Sequence, residues 1–81
     1  MNGNERKFVD FFLKVKEYFA KYCKNISNDD IDRFFSSEDA IDSVVMGFSN
    51  ALLRIADNED DESVIFDKEA SDAGYCLFML Y

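Results

Sequence analysis

Ser63-Val-Ile-Phe-Asp-Lys-Glu-Ala-Ser-Asp-Ala-Gly-Tyr-Cys-Leu-Phe-Met-Leu-Tyr81 is the stretch on which the fold class turns. Its two ends, residues 63–69 and 75–81, are β-branched and aromatic-rich runs of strand length. Between them Ala70-Ser71-Asp72-Ala73-Gly74 supplies small and polar residues and a glycine suited to a positive φ. The pattern predicts an antiparallel hairpin with a loop of about five residues. Read by alternation, the second strand is apolar on both faces, with Tyr75, Leu77, Met79 and Tyr81 on one and Cys76, Phe78 and Leu80 on the other. One face then packs on the rest of the chain, and the other requires a further helix, a second copy or a partner. An edge strand here is also free to pair with another strand.

Upstream lies the acidic loop Asp57-Asn58-Glu59-Asp60-Asp61-Glu62, and before it a strongly periodic segment, residues 38–56. Ile41, Val44, Val45, Phe48, Leu52 and Ile55 fall within about a third of a helix circumference and predict its core stripe. Met46 and Leu53 form a second side, in line with Asp39, Asp42, Ser49 and Asp57. Gly47 and Ala51 occupy the opposite flank. Gly47 costs a helix roughly 1 kcal/mol relative to alanine, and close approach by another helix, most simply the first, accounts for it.

Residues 4–24 predict a first helix with a wide stripe of Phe8, Phe11, Phe12, Val15, Tyr18, Phe19 and Tyr22, opposed by Asp10, Lys14, Glu17 and Lys21. Aromatics in such a stripe suit either base stacking or a core, and the acidity of the remaining chain favours the core. Ser27, with Asp30 three residues on, has the form of a capping box for a short helix over 28–36, and Ser36-Ser37 offers the cap for the helix over 38–56. The expectation is therefore one α+β domain spanning 1–81. Three helices (long, short, long) precede a C-terminal antiparallel β-hairpin packed on them.

Nine Phe and four Tyr in 81 residues argue for a packed core, since disordered acidic chains lack such aromatic content. The formal charge of −8 is unevenly spread: through Ser27 there are six Lys/Arg against three Asp/Glu, and from Asn28 onward three against fourteen. A surplus of that size keeps the chain soluble and disfavours nucleic acid and anionic lipid, so the expected partner is basic, with no direct nucleic-acid or membrane contact. No signal-peptide core or membrane-length apolar run occurs, which suggests a cytoplasmic location. Cys23 and Cys76 stand in apolar surroundings and are expected to be buried free thiols.

Histidine is absent, which removes the commonest general base and every histidine-containing metal site. The carboxylates lie at helix starts and in a loop, where nothing in the sequence would desolvate them, and three dispersed glycines cannot form a phosphate loop. The reading is a non-enzyme without cofactor or metal. Asn58-x-Asp60-x-Glu62 with Glu69 imitates calcium-loop spacing, but Ser63 stands where that loop needs glycine.

In size, charge and lack of catalytic groups the chain resembles the small acidic inhibitors carried by phages and mobile elements, and the acidic immunity proteins that block nuclease toxins. The resemblance implies a stoichiometric inhibitor that mimics nucleic acid on a basic partner such as a nuclease or a CRISPR effector subunit, with anti-CRISPR or anti-restriction activity as its concrete form. In that reading Asp39, Asp42, Asp57, Glu59, Asp60, Asp61 and Glu62 supply attraction, and Met46, Leu53, Tyr75 and Tyr81 supply the desolvated centre. The alternatives are an immunity protein, or a structural or regulatory module that dimerises or docks through its hairpin. A nucleic-acid-binding regulator using the basic first helix is disfavoured by the acids interleaved with its lysines.

Overall fold

Ser27 and Ser37 each begin a helix in the way their neighbours predict. Both are in extended backbone, and each side chain accepts a hydrogen bond from the amide three residues on, Asp30 N at 3.2 Å and Ala40 N at 3.3 Å. The computed structural model describes residues 3–57 and 60–81. Its first three elements are α1 (Gly3–Tyr22), α2 (Asn28–Phe34) and α3 (Glu38–Ala56), in the expected long, short, long order. Ile26, between α1 and α2, packs against the core.

The fourth element corrects the fold class. Residues 62–80 form a single helix, α4 (Glu62–Leu80), and no strand occurs among the described residues, so the chain is all-helical rather than α+β. Asp61, placed by the sequence in a loop, is the N-cap: its carboxylate accepts from the Ser63 amide at 2.9 Å and from the Ser63 hydroxyl at 2.6 Å. The helix prevails over the hairpin because the buried positions follow the helical repeat once small residues are counted. Ile65, Ala70, Ala73, Gly74 and Leu77 are buried together. The two strand faces dissolve accordingly, with Leu77 fully buried while Tyr75, Met79 and Tyr81, assigned to the same face, are exposed. The hairpin edge expected to pair with a second copy does not exist.

Gly74, read as a turn residue, sits mid-helix for a tertiary reason. A methyl group placed there would lie 2.7 Å from Tyr18 Cβ and 3.1 Å from both Phe19 N and Val15 O, so α4 meets the backbone of α1. Contacts between Lys7 and Glu62, Phe11 and Phe66, and Tyr22 and Phe78 keep nearly one offset along both helices, which run parallel. Gly47 against Ala73 and Arg54 against Glu69 make α3 antiparallel to α4. The result is an up-down-up arrangement of three long helices with α2 laid across the α1–α3 connection. No helix among the described residues is long and apolar enough to cross a membrane.

The aromatic stripe of α1 fills this core, as expected. Phe11, Val15 and Phe19 are buried with Ile31 and Phe35 of α2, Ala40 and Val44 of α3, and Ala70, Ala73 and Leu77 of α4. Phe19 stacks on Phe34, with centroids 4.8 Å apart and planes at 9°, and meets Phe35 edge-on. Phe48 of α3 joins Phe8 and Phe11 to Phe66. No polar or charged side chain is buried among the described residues.

The core face of α3 also differs from expectation. Ala40, Val44, Gly47 and Ala51 are buried, with Phe48 and Ile55 partly covered, while Ile41, Val45 and Leu52 remain 42%, 46% and 38% exposed. The small side faces inward because the methyl space at Gly47 is bounded by Phe11 Cζ at 3.2 Å and Ala73 Cβ at 3.4 Å. Gly47 therefore admits both α1 and α4.

Two measurements test these contacts. Alanine at 74 adds about 1 kcal/mol of helix propensity, but overpacking against backbone atoms costs about 1–3 kcal/mol and here falls in the upper part of that range. Gly74→Ala should therefore lose about 1–2 kcal/mol net in urea unfolding. Gly47→Ala, whose methyl meets a ring tip and another methyl, should stay within about 0.5 kcal/mol of the parent. A Gly74→Ala protein at least as stable as the parent would contradict the close α1–α4 contact.

The second measurement concerns Tyr18, which donates to Asp67 Oδ1 at 2.5 Å across the same pair of helices. That bond, with smaller contributions from burial and the charge of Asp67, pushes the Tyr18 phenol up to about 12. The fold favours the protonated phenol, so its contribution is complete below pH 10 and is lost as pH rises from 10 through about 12. A phenolate absorbance titration should show one of the four tyrosines ionising near 12, and Asp67→Ala should return it toward the ordinary value.

Candidate functional site

Helix α3 carries four of the residues singled out from the sequence. At about 100° per residue, Asp39, Asp42, Met46 and Leu53 span about 60° of arc on its outer side. All four are exposed, Met46 by 67% and Leu53 by 65%. Asp57, at the C-cap, continues the row. The helical repeat alone placed these residues together, and the structure keeps them together.

The acidic turn beyond Asp57 is only partly available. Asp60 accepts a hydrogen bond from the Asp61 amide at 2.9 Å, and Asp61 is engaged as the cap of α4. Its bonds from the Ser63 hydroxyl and amide hold the Asp61 carboxyl below the usual carboxylate range. Glu62 is paired with Lys7 of α1 at 2.6 Å. Glu59 and Asn58 lie outside the described residues. Glu69, the twelfth position of the imagined calcium loop, is bonded to Arg54 at 3.0 Å instead, and no cluster of metal-binding side chains occurs among the described residues.

Tyr75 and Tyr81 do not join this surface. Tyr75 meets Tyr22 edge-on at 5.5 Å and contacts Phe78, so it lies along the α1–α4 boundary. Tyr81 follows the C-terminal end of α4 and packs edge-on against Phe19 and Phe34. A helix of α4's length measures about 28 Å, which separates Tyr81 from the acidic turn at the other end. A hairpin would have returned Tyr81, at the end of its second strand, toward the acids; the helix carries it away. Cys76 is likewise exposed rather than buried, turned outward by the helical repeat. Cys23 is partly covered, burial raises its thiol pKa, and both cysteines are free.

Ion pairing sharpens the electrostatics. Lys7, Lys14, Lys16, Arg33 and Arg54 pair with Glu62, Asp67, Asp32, Asp30 and Glu69 respectively. Lys21 lies 5.9 Å from the Tyr18 ring centroid. Exposed pairs of this kind add little stability, but they commit the cations. Asp39, Asp42 and Asp57 have no cationic partner among the described residues, so the outer face of α3 has negative charge around two apolar side chains. A groove of about 420 Å³ between α1 and α2 holds the Lys16–Asp32 pair on its wall and is neutral in comparison.

Sequence reasoning missed a neighbouring feature, the exposure of Ile41, Val45 and Leu52. The signal was present as two overlapping rows in α3, one at positions 40, 44, 47 and 51 and the other at 41, 45, 48, 52 and 55. Each follows a four-three spacing, and hydrophobicity alone favours the bulkier row for the core. No family model matches the chain, and the searches of curated proteins and of solved structures likewise return no match.

Proposed function

We propose that this protein is a small acidic inhibitor that binds stoichiometrically to a basic, nucleic-acid-handling protein and occupies the surface meant for nucleic acid. Anti-CRISPR or anti-restriction action in the cytoplasm, in the service of a phage or mobile element, is its concrete form. The outer face of α3 carries the reading: Met46 and Leu53 stand exposed among Asp39, Asp42 and Asp57, acids without a cationic partner among the described residues. Apolar side chains ringed by charge of one sign form the usual plan of a protein-binding surface, in which the centre supplies affinity and the rim supplies rate and selectivity. Carboxylates spaced along a rigid helix present charge to a basic groove much as a phosphate backbone does, and they do so without base edges to read.

The test begins with affinity capture from host lysate and continues with the purified pair. The captured protein should be basic and handle nucleic acid, and affinity should fall steeply between about 50 and 500 mM salt. Asp39→Lys with Asp42→Lys should slow association with little change in dissociation. Met46→Ala with Leu53→Ala should speed dissociation by about tenfold or more. Binding indifferent to salt and to the charge reversals would refute nucleic-acid mimicry.

A further inference from the structure

We infer that the half-open row of α3, Ile41, Val45 and Leu52 backed by Phe48 and Ile55, is the docking line for an amphipathic helix of the partner flanked by lysine or arginine. This rests on the preceding reading that the partner is basic, and it names the element that partner presents. The row follows the four-three spacing of a helix–helix seam. Its inner members are already seated, Phe48 against the rings of Phe8, Phe11 and Phe66, while Ile41, Val45 and Leu52 keep between 38% and 46% of their surface in solvent. Val9 and Leu13, a step round α1 from Phe8 and Phe12, are 43% and 55% exposed. From Ile41 to Ile55 the row measures about 21 Å, enough for a docked helix of about four turns. Anchors at such spacing laid on an apolar strip are the established form of helix recognition.

Charge selects the occupant. Glu38 and Asp42, four residues apart, border the row on its solvent side, where like charges at that spacing repel. No cation among the described residues answers them. The one basic side chain of α3, Arg54, lies on another side of the helix, bonded to Glu69. A helix flanked by Lys or Arg would relieve that repulsion as its apolar side covers the row. A second copy would bring another chain of charge −8 against the first.

The experiment uses the full chain, isotope-labelled, titrated with a synthetic amphipathic peptide of about 18 residues that carries leucine at four-three spacing and lysine on both flanks. Amide shifts should centre on Ile41, Val45 and Leu52. Val45→Asp with Leu52→Asp should weaken binding at least about tenfold while the helical circular dichroism is kept. Met79→Asp, an exposed apolar site elsewhere, should bind like the parent. A peptide with scrambled leucines or with glutamate flanks should lose binding by a similar factor. Shifts centred on Met46 and Leu53, no shifts at millimolar peptide, or binding unaffected by Val45→Asp with Leu52→Asp would overturn the inference. So would a doubling of mass in light scattering that this double variant abolishes, since a second copy would then cover the row. The two readings fail separately. A basic partner captured as well by Val45→Asp with Leu52→Asp as by the parent removes only the helix-docking inference, whereas capture of an acidic partner removes the reading beneath it.

Discussion

The fold depends on a place where a side chain is missing. At Gly74 the backbone of α4 lies against Val15, Tyr18 and Phe19 of α1, closer than any Cβ would permit. Two parallel helices held this near leave no room between them for large side chains, so the rings of α1 are directed to either side. Phe11 goes toward Gly47 and Phe66, and Phe19 goes toward Phe34 and Phe35 of α2. The rings on the two sides are joined through Phe12, which meets both Phe8 and Phe35. Small residues on α4 and large ones on α1 are complementary halves of one packing solution.

That contact also decides which side of α3 faces outward. Ala73 follows the same smooth strip of α4 and meets the space above Gly47, so α3 docks through Ala40, Gly47 and Ala51. Turning α3 to bury Ile41, Val45 and Leu52 instead would place branched side chains where Ala73 and Phe11 now sit and would push α4 from α1. The apolar surface left in solvent is therefore a consequence of the core, and the two cannot be altered independently. A helix with two overlapping apolar rows, of which the fold covers one fully and the other halfway, holds a surface ready for another helix without any rearrangement.

Local chemistry made much of this readable from the sequence, and tertiary chemistry hid the rest. Ser27 and Ser37 mark helix starts through bonds to amides three residues away, and the stripe of α1 follows from its own repeat, so both were visible. The surface residues Asp39, Asp42, Met46 and Leu53 share a face for the same reason. Residues 63–81 were misread because their buried centre is Ala70, Ala73 and Gly74, which carry almost no hydrophobic signal. The eye is drawn instead to Val64, Tyr75, Met79 and Leu80, all of which are exposed. Glycine in a helix looks like a turn until the backbone opposite it is known. The hairpin reading also set Tyr81 near the acids, whereas the stripe expected on α3 followed from its own bulky residues, of which Val44 is buried and Ile41, Val45 and Leu52 are exposed.

The uneven charge of the sequence acquires a meaning in the folded chain. Half of the cations in the basic first third serve as internal counter-ions of the acidic remainder, since Lys7, Lys14 and Lys16 reach Glu62 and Asp67 of α4 and Asp32 of α2. A lysine-bearing helix that would read as a nucleic-acid contact in isolation is committed to its own protein. Neutralisation is selective, because lysines of α1 reach α2 and α4, whereas the rings of Phe8 and Phe11 meet α3. Glu38, Asp39 and Asp42 of α3 consequently have no cationic partner among the described residues, on a helix that also exposes apolar side chains. Neither the −8 charge nor the exposed Leu and Met would point to a partner alone, since acidic surfaces aid solubility and scattered apolar residues are ordinary. Their coincidence on one helix, produced by which helices the cations reach, is the ground for proposing that this protein acts through α3.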